Sequence, residues 1–143
     1  MNSVDIVYER LKGFPIPQYQ IIVDGVLLND FLNSETNSND FDLLVPPIGL
    51  MFEQDQKKVF ELLEYRNVIF PLLVCPDDLD FSCIVVSVYV TEKKNQTTWE
   101  YWAYGLDMSK PIHCRKLIFD KNEYRNFVNK FKSYIICENK YMG

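Results

Sequence analysis

Hydrophobic positions recur at helical spacing in three parts of the chain. Near the N-terminus, the spacing i, i+3, i+4, i+7 predicts a helix over 3–12, which Gly13 ends. A second helix is predicted over 52–66 and a third over 122–135, each with one apolar face and one charged face. The polar, asparagine-rich stretch 29–42 predicts a long solvated loop whose apolar residues pack back onto the protein.

Alternating apolar positions predict the strands. Asp24-Gly25 between two aliphatic runs is a strong turn signal, so 19–28 predict a β-hairpin. Four further strands are predicted over 69–75, 83–91, 98–104 and 112–119. Pro71 favours an edge position, since proline cannot donate a ladder hydrogen bond. Short connections imply antiparallel pairing, so we expect an α+β fold: a meander of three to four strands plus the hairpin, with about three helices on one face.

The stretch 98–104 carries the densest aromatic signal. Strict alternation places Trp99 and Tyr101 on one face of the sheet and Trp102 on the other. The face expected to bind a protein partner carries Tyr89, Glu100, Trp102 and Tyr104. Tyrosine and tryptophan dominate interface hot spots, which favours this interpretation. The alternative is a sheet covered on both faces, by the terminal helix and by the asparagine-rich segment.

Length, composition and charge narrow the possibilities further. The chain has 143 residues, which predicts one domain over 1–143, and its 48% hydrophobic residues exclude a disordered tail. Twenty acidic residues against fifteen basic ones give a net charge of −5, which speaks against nucleic-acid binding. The N-terminus is charged where a signal peptide is apolar, and the apolar runs are too short to span a membrane. We therefore expect a cytoplasmic protein with four free cysteines.

An acidic cluster follows the strand predicted over 69–75. Asp77, Asp78 and Asp80 lie within four positions, and carboxylates at this density are able to hold Mg²⁺ or Ca²⁺. Pro76 before them favours a simpler interpretation, a turn in which aspartates bond their own backbone. Glu92 would complete a pattern found in metal-dependent nucleases, but a whole strand separates it from the cluster.

Other catalytic chemistry finds little support in the sequence. His113 is the single histidine, and its neighbour Cys114 is predicted to point to the opposite face of a strand. Cysteine spacing also differs from that of zinc sites, which usually present closely spaced pairs. We therefore assign no catalytic residue, no metal ligand and no cofactor.

The order of several features along the chain resembles that of a known group of proteins. An early Val-Asp-Gly hairpin (21–28) precedes the segment Leu-Leu-Val-Cys-Pro-Asp-Asp-Leu-Asp (72–80), and a valine-rich strand and a tryptophan-rich strand follow. In an acidic α+β chain, this order resembles small bacterial immunity proteins encoded beside polymorphic or contact-dependent toxins. A lysine-rich, asparagine-rich composition is compatible with a low-GC bacterial genome.

The resemblance implies a non-enzymatic protein that binds a cognate toxin domain, often a basic nuclease, and blocks its active site. Asp77, Asp78, Asp80 and Glu100 would then pair with basic residues of the toxin, while Trp102 and Tyr104 anchor the interface. Two other functions stay open: a metal-dependent enzyme that uses the three aspartates, and a structural or regulatory homodimer that pairs through the tryptophan-rich strand.

Overall fold

The computed structural model describes residues 1–10 and 14–138, and these contain eight strands and three helices. The strands are β1 (Val4–Arg10), β2 (Pro17–Val23), β3 (Val26–Leu27), β4 (Val68–Val74), β5 (Val85–Lys93), β6 (Gln96–Tyr104), β7 (Lys110–Ile112) and β8 (Leu117–Asp120). The helices are α1 (Leu28–Thr36), α2 (Glu53–Leu62) and α3 (Lys121–Glu138). The predicted α+β class is confirmed. Within the described ranges, no helix has the length and apolar character that crossing a membrane requires.

The strands form two antiparallel sheets. β1, β2 and β3 pair in a three-stranded sheet, which contains the predicted hairpin with Asp24 and Gly25 at positive φ in its turn. In the five-stranded sheet β4, β5, β6 and β7 are neighbours in chain order, so the predicted meander is confirmed, and β8 also pairs with β6. Pro71 lies on the edge strand β4, as predicted. Asn2 joins the sheets, since its N–H donates to the carbonyl of Ile118 at 2.7 Å.

One face of the large sheet, the core face, packs against helices. Phe70 of β4 meets Phe131 of α3 edge to face, with ring centroids 5.7 Å apart. On β6, the ring of Trp102 lies 6.2 Å from that of Phe31 in α1. Helix α2 contacts α3 and β4. Buried apolar side chains from both sheets and from all three helices form one hydrophobic cluster.

The N-terminal segment forms strand β1, so the helix predicted over 3–12 is wrong in its described part. Lys12 and the predicted glycine stop at Gly13 lie outside the described residues. β1 pairs with β2 along its whole length, and Ile6 is fully buried. The apolar residues of this segment fit a period of two as well as a helical period. Pairing with β2 favours the strand, because β-branched residues pack well on a sheet.

The asparagine-rich stretch contains helix α1, so the prediction of a loop over 29–42 is wrong in its first half. Asn29 is 4% exposed, and its side-chain amide donates to the carbonyls of Phe41 and Leu44 at 2.6 and 2.9 Å. Asn29 thus connects helix α1 by hydrogen bonds to the segment that follows it. The expectation that the apolar residues pack back is confirmed, since Phe31, Leu32 and Phe41 are buried.

The strand predicted over 112–119 is divided in two. β7 pairs with the end of β6, where Ile112 faces Trp102, and β8 pairs with its beginning, where Leu117 faces Trp99. The residues between them, 113–116, belong to neither strand. The long strand β6 thus pairs on the same side with two short strands, β7 and β8.

Candidate partner-binding surface

A β-bulge in β6 determines which aromatic side chains reach the surface. Tyr89 of β5 pairs with Tyr101, whereas the next residue of β5, Val90, pairs with Trp99. Glu100 is therefore an extra residue on β6, and the alternation of faces shifts at this point.

The bulge overturns the predicted distribution of the aromatic residues. Trp99 and Trp102 both lie in the core, at 0% and 2% exposure, with their rings 5.5 Å apart in a T-shaped arrangement. Trp102 donates its indole N–H to the carbonyl of Arg115 at 3.1 Å. The expectation that Trp102 is an exposed anchor is wrong. Tyr101, which strict alternation placed inward, is 64% exposed.

Tyr101 stands on the outer face, the face of the large sheet opposite the core face. Its partner across the strands, Tyr89, is half-buried, with the two ring centroids 6.3 Å apart. Beside Tyr101 runs a groove of about 700 Å³ that we call the tyrosine groove. Its lining includes Glu100, Tyr101, Ala103, Met108, Pro111 and His113. The lining also includes Trp102, so it combines aromatic and apolar side chains with a few polar groups such as Glu100 and His113, which is the usual character of an interface core.

Glu100 has partners within the protein. Its carboxylate accepts a hydrogen bond from the hydroxyl of Thr91 at 3.0 Å, and Lys116 Nζ lies 3.7 Å from its second oxygen. Because Lys116 balances its charge, Glu100 is a weaker attractor of basic side chains than an unpaired carboxylate. The predicted role of Glu100 in partner binding thus depends on displacing or sharing this lysine.

Tyr104 lies further along β6, with its ring towards the core face. The ring stacks on Phe41 with centroids 6.0 Å apart, and Lys110 Nζ lies 5.9 Å from the ring centroid. Burial, together with the charge of Asp40, raises the pKa of the Tyr104 hydroxyl. Tyr104 remains partly accessible in a second groove of about 530 Å³, whose lining also includes Cys83.

The acidic loop, defined as residues 75–84, connects β4 to β5 beside this second groove. Asp77 and Asp78 are exposed. Asp80 Oδ1 accepts hydrogen bonds from the N–H and the hydroxyl of Ser82, at 2.9 and 2.6 Å, and these bonds lower the pKa of the Asp80 carboxyl. The predicted turn, in which an aspartate bonds its own backbone, is confirmed at Asp80.

Among residues 1–10 and 14–138, no group of three histidine, cysteine, aspartate or glutamate side chains is arranged to hold a metal ion. Glu92 is at the far end of the unbroken strand β5, where Lys121 Nζ lies 3.1 Å from one of its carboxylate oxygens. Glu92 and the three aspartates therefore lie at opposite ends of β5.

Cys114 is a poor candidate for the nucleophile of a pair with His113. His113 is exposed at the tyrosine groove. Burial raises the pKa of the Cys114 thiol to about 12, with a further contribution from the neighbouring charge of Glu35. A thiol with this pKa stays protonated at neutral pH, and a protonated thiol is a poor nucleophile.

Of the sequence-predicted residues, Tyr104 lies beside the loop that holds the three aspartates, Tyr89 and Glu100 lie next to Tyr101, and Trp102 is buried in the core. Asp77, Asp78 and Asp80 belong to the acidic loop at one end of the large sheet, and Tyr104 lies beside that loop. Tyr101 is three residues along β6 from Tyr104, a distance of roughly 10 Å in a strand. The two tyrosines lie on opposite faces of the sheet, so a partner that contacts both the acidic loop and the tyrosine groove has to extend over the end or edge of the sheet.

Sequence reasoning missed the residues that give the tyrosine groove its shape. Tyr101 was assigned to the inner face, while Met108 and Pro111 belong to a connection whose path the strand pattern does not specify. One signal was present: Trp99 and Trp102 are three positions apart, and a strand places both on the same face only if a bulge shifts its alternation.

Comparison with protein-family models, with curated proteins and with solved structures gave no match to this chain.

Proposed function

We propose that this chain is a non-enzymatic protein-binding module, and specifically an immunity protein that binds and neutralises a cognate toxin domain. The partner is a basic protein domain. It contacts the acidic loop through its lysine and arginine side chains and covers the tyrosine groove with apolar ones.

The observation that carries the proposal is the exposed Tyr101 beside an apolar groove on the same sheet as an exposed acidic loop. Exposed aromatic side chains in a groove supply affinity when a partner removes them from water. Unpaired surface carboxylates contribute chiefly to the association rate and to the choice of partner. The combination fits a tight inhibitor of a basic protein.

The first test is to capture the partner and to measure its toxicity. The tagged protein is exposed to a lysate of its native cells at low and at high salt, and retained proteins are identified by mass spectrometry. We expect one stoichiometric basic partner whose association slows as salt rises, because screening weakens steering by charge. Expressed alone, this partner arrests growth, and co-expression of the protein restores it. A partner that is harmless when expressed alone would contradict the immunity function.

A charge-reversal pair then tests the acidic loop. Asp77→Lys combined with Asp78→Lys is expected to slow association and to weaken protection against the toxin. The matched control reverses two exposed acids elsewhere, Glu9→Lys with Glu61→Lys, and changes the net charge by the same amount. If the two double variants slow association equally, the loop acts only through the overall charge of the protein.

A homodimer that pairs through the outer face is the second candidate. The exposure of Tyr101 also fits this arrangement, since the same apolar surface is able to meet its own copy. Sedimentation of the wild type and of Tyr101→Ser separates the two functions. A dimer that Tyr101→Ser converts to a monomer would support the homodimer, and a wild-type monomer would exclude it.

A further inference from the structure

Two cysteines meet at the base of the acidic loop. Cys75 directly follows β4 and Cys83 precedes β5 by two residues. Their sulfur atoms are 2.8 Å apart, and the Cys75 sulfur also accepts a hydrogen bond from the N–H of Ile84 at 3.4 Å. A disulfide bond is about 2.05 Å long, so the sulfurs need to approach by less than 1 Å.

The backbone on both sides of the cysteine pair is fixed. Val74 and Val85 form the last register pair between β4 and β5, directly before the loop. Within the loop, the N–H of Leu79 donates to the carbonyl of Cys75 at 3.1 Å. Leu79 is in turn tied to the segment before α2, because its carbonyl accepts a hydrogen bond from the N–H of Met51 at 2.9 Å. The close approach of the two sulfurs is therefore a property of the fold.

We propose that Cys75 and Cys83 form a reversible disulfide when the protein meets an oxidant of the disulfide class, such as glutathione disulfide. The bond closes the acidic loop into a covalent ring that contains Asp77, Asp78 and Asp80. The inference is independent of the proposed function, since it requires only the two thiols and the oxidant.

The reaction proceeds in two exchanges. Cys83 is the exposed thiol, and its thiolate attacks one sulfur of glutathione disulfide. The sulfur–sulfur bond breaks, one glutathione leaves with the electron pair and takes up a proton, and Cys83 carries the second glutathione. The Cys75 thiol then gives up its proton and attacks the Cys83 sulfur, which releases the second glutathione. The two cysteines lose two electrons, and glutathione disulfide is reduced to two glutathione molecules.

The two thiols differ in exposure, and this difference indicates which thiol reacts in each step. Cys75 is half-buried, and its burial, together with the hydrogen bond to Cys83, raises the pKa of its thiol. It is the slower thiol towards an external oxidant, yet it lies in contact with the Cys83 sulfur that it attacks. Cys83 thus captures the oxidant, and Cys75 resolves the mixed disulfide.

Peptide mapping of the full chain tests the bond directly. The reduced protein is incubated with glutathione disulfide, remaining thiols are blocked with N-ethylmaleimide, and the chain is digested with trypsin. The tryptic peptide 67–93 holds Cys75 and Cys83 but neither of the other two cysteines. Cleavage before the three aspartates of the loop then separates Cys75 from Cys83 unless a disulfide joins them. We expect linked fragments that separate on reduction and that carry no maleimide.

Variants that lack one cysteine show which of the two cysteines reacts first with glutathione disulfide. Cys75→Ser is expected to accumulate glutathione on Cys83, because no second thiol resolves the adduct. Cys83→Ser is expected to leave Cys75 blocked by maleimide. Cys137→Ser is the matched control, since it removes another exposed cysteine and leaves the linked fragments unchanged. A wild-type protein that retains glutathione on Cys83 beside a maleimide-blocked Cys75, or that links Cys83 to Cys137, would overturn the proposal.

Discussion

Trp102 gives the sharpest test of the bulge in β6. The structure places its indole in the core at 2% exposure, in contact with Trp99, and strict alternation would have placed it on the opposite face. Truncation to alanine removes a large buried ring, which typically costs about 3–5 kcal/mol of the free energy of unfolding. It also leaves the carbonyl of Arg115 without its indole donor, a loss of about 1 kcal/mol.

Tyr101 provides the matched comparison one residue away. Its side chain is 64% exposed, so Tyr101→Ala is expected to change the free energy of unfolding by only about 0.5 kcal/mol. Urea unfolding followed by far-ultraviolet circular dichroism measures both variants. Trp102→Phe is the variant to use if Trp102→Ala does not fold, and it is expected to lose about 1–3 kcal/mol. Comparable losses at Trp102 and Tyr101, or a larger loss at Tyr101, would refute the assignment of faces.

Three further predictions concern stability. The disulfide between Cys75 and Cys83 is expected to add about 2–3 kcal/mol, or roughly 5–10 °C in Tm, because it closes a short ring in the unfolded chain; equal Tm values for the oxidised and reduced forms would contradict this. Asn29→Ala is expected to cost about 2–3 kcal/mol in urea unfolding, since two buried carbonyl groups lose their donor, and a loss below about 0.5 kcal/mol would argue against this contact. For Asp24, burial acts to raise the pKa of the carboxyl, but hydrogen bonds from the N-terminal residues outweigh it and hold the pKa below 3.8. The stability that Asp24 contributes is thus present above about pH 4 and lost as the pH falls through the lower folded-state pKa; Asp24→Asn should flatten that decline, and an unchanged pH profile would contradict the assignment.

Much of both sheets follows from the sequence because the signals are local. The valines of β5 alternate without interruption, Pro71 marks an edge strand, and Asp24-Gly25 specifies a hairpin turn. Each of these features depends on a few adjacent residues. The same holds for the turn at Asp80, where a side chain bonds the backbone two residues ahead.

The sequence predictions are wrong for residues whose structure depends on a partner far away in the chain. The first strand has apolar residues that fit either period, and pairing with β2 selects the strand. Asn29 counts as a loop residue by composition, yet its amide is buried against two carbonyls more than ten residues away. The bulge at Glu100 is a property of the pairing between β5 and β6, and it moves Tyr101 to the surface.

If a partner binds across the tyrosine groove, the substitution Tyr101→Ser weakens the affinity of the protein for the captured partner. Tyr65→Ser is the matched control, since Tyr65 is 61% exposed and lies after α2, outside the lining of that groove. An interface hot spot contributes at least about 2 kcal/mol, so Tyr101→Ser should raise Kd roughly 30-fold while Tyr65→Ser leaves Kd unchanged. Equal Kd values for Tyr101→Ser and the wild type, with both variants folded, would exclude binding across the tyrosine groove.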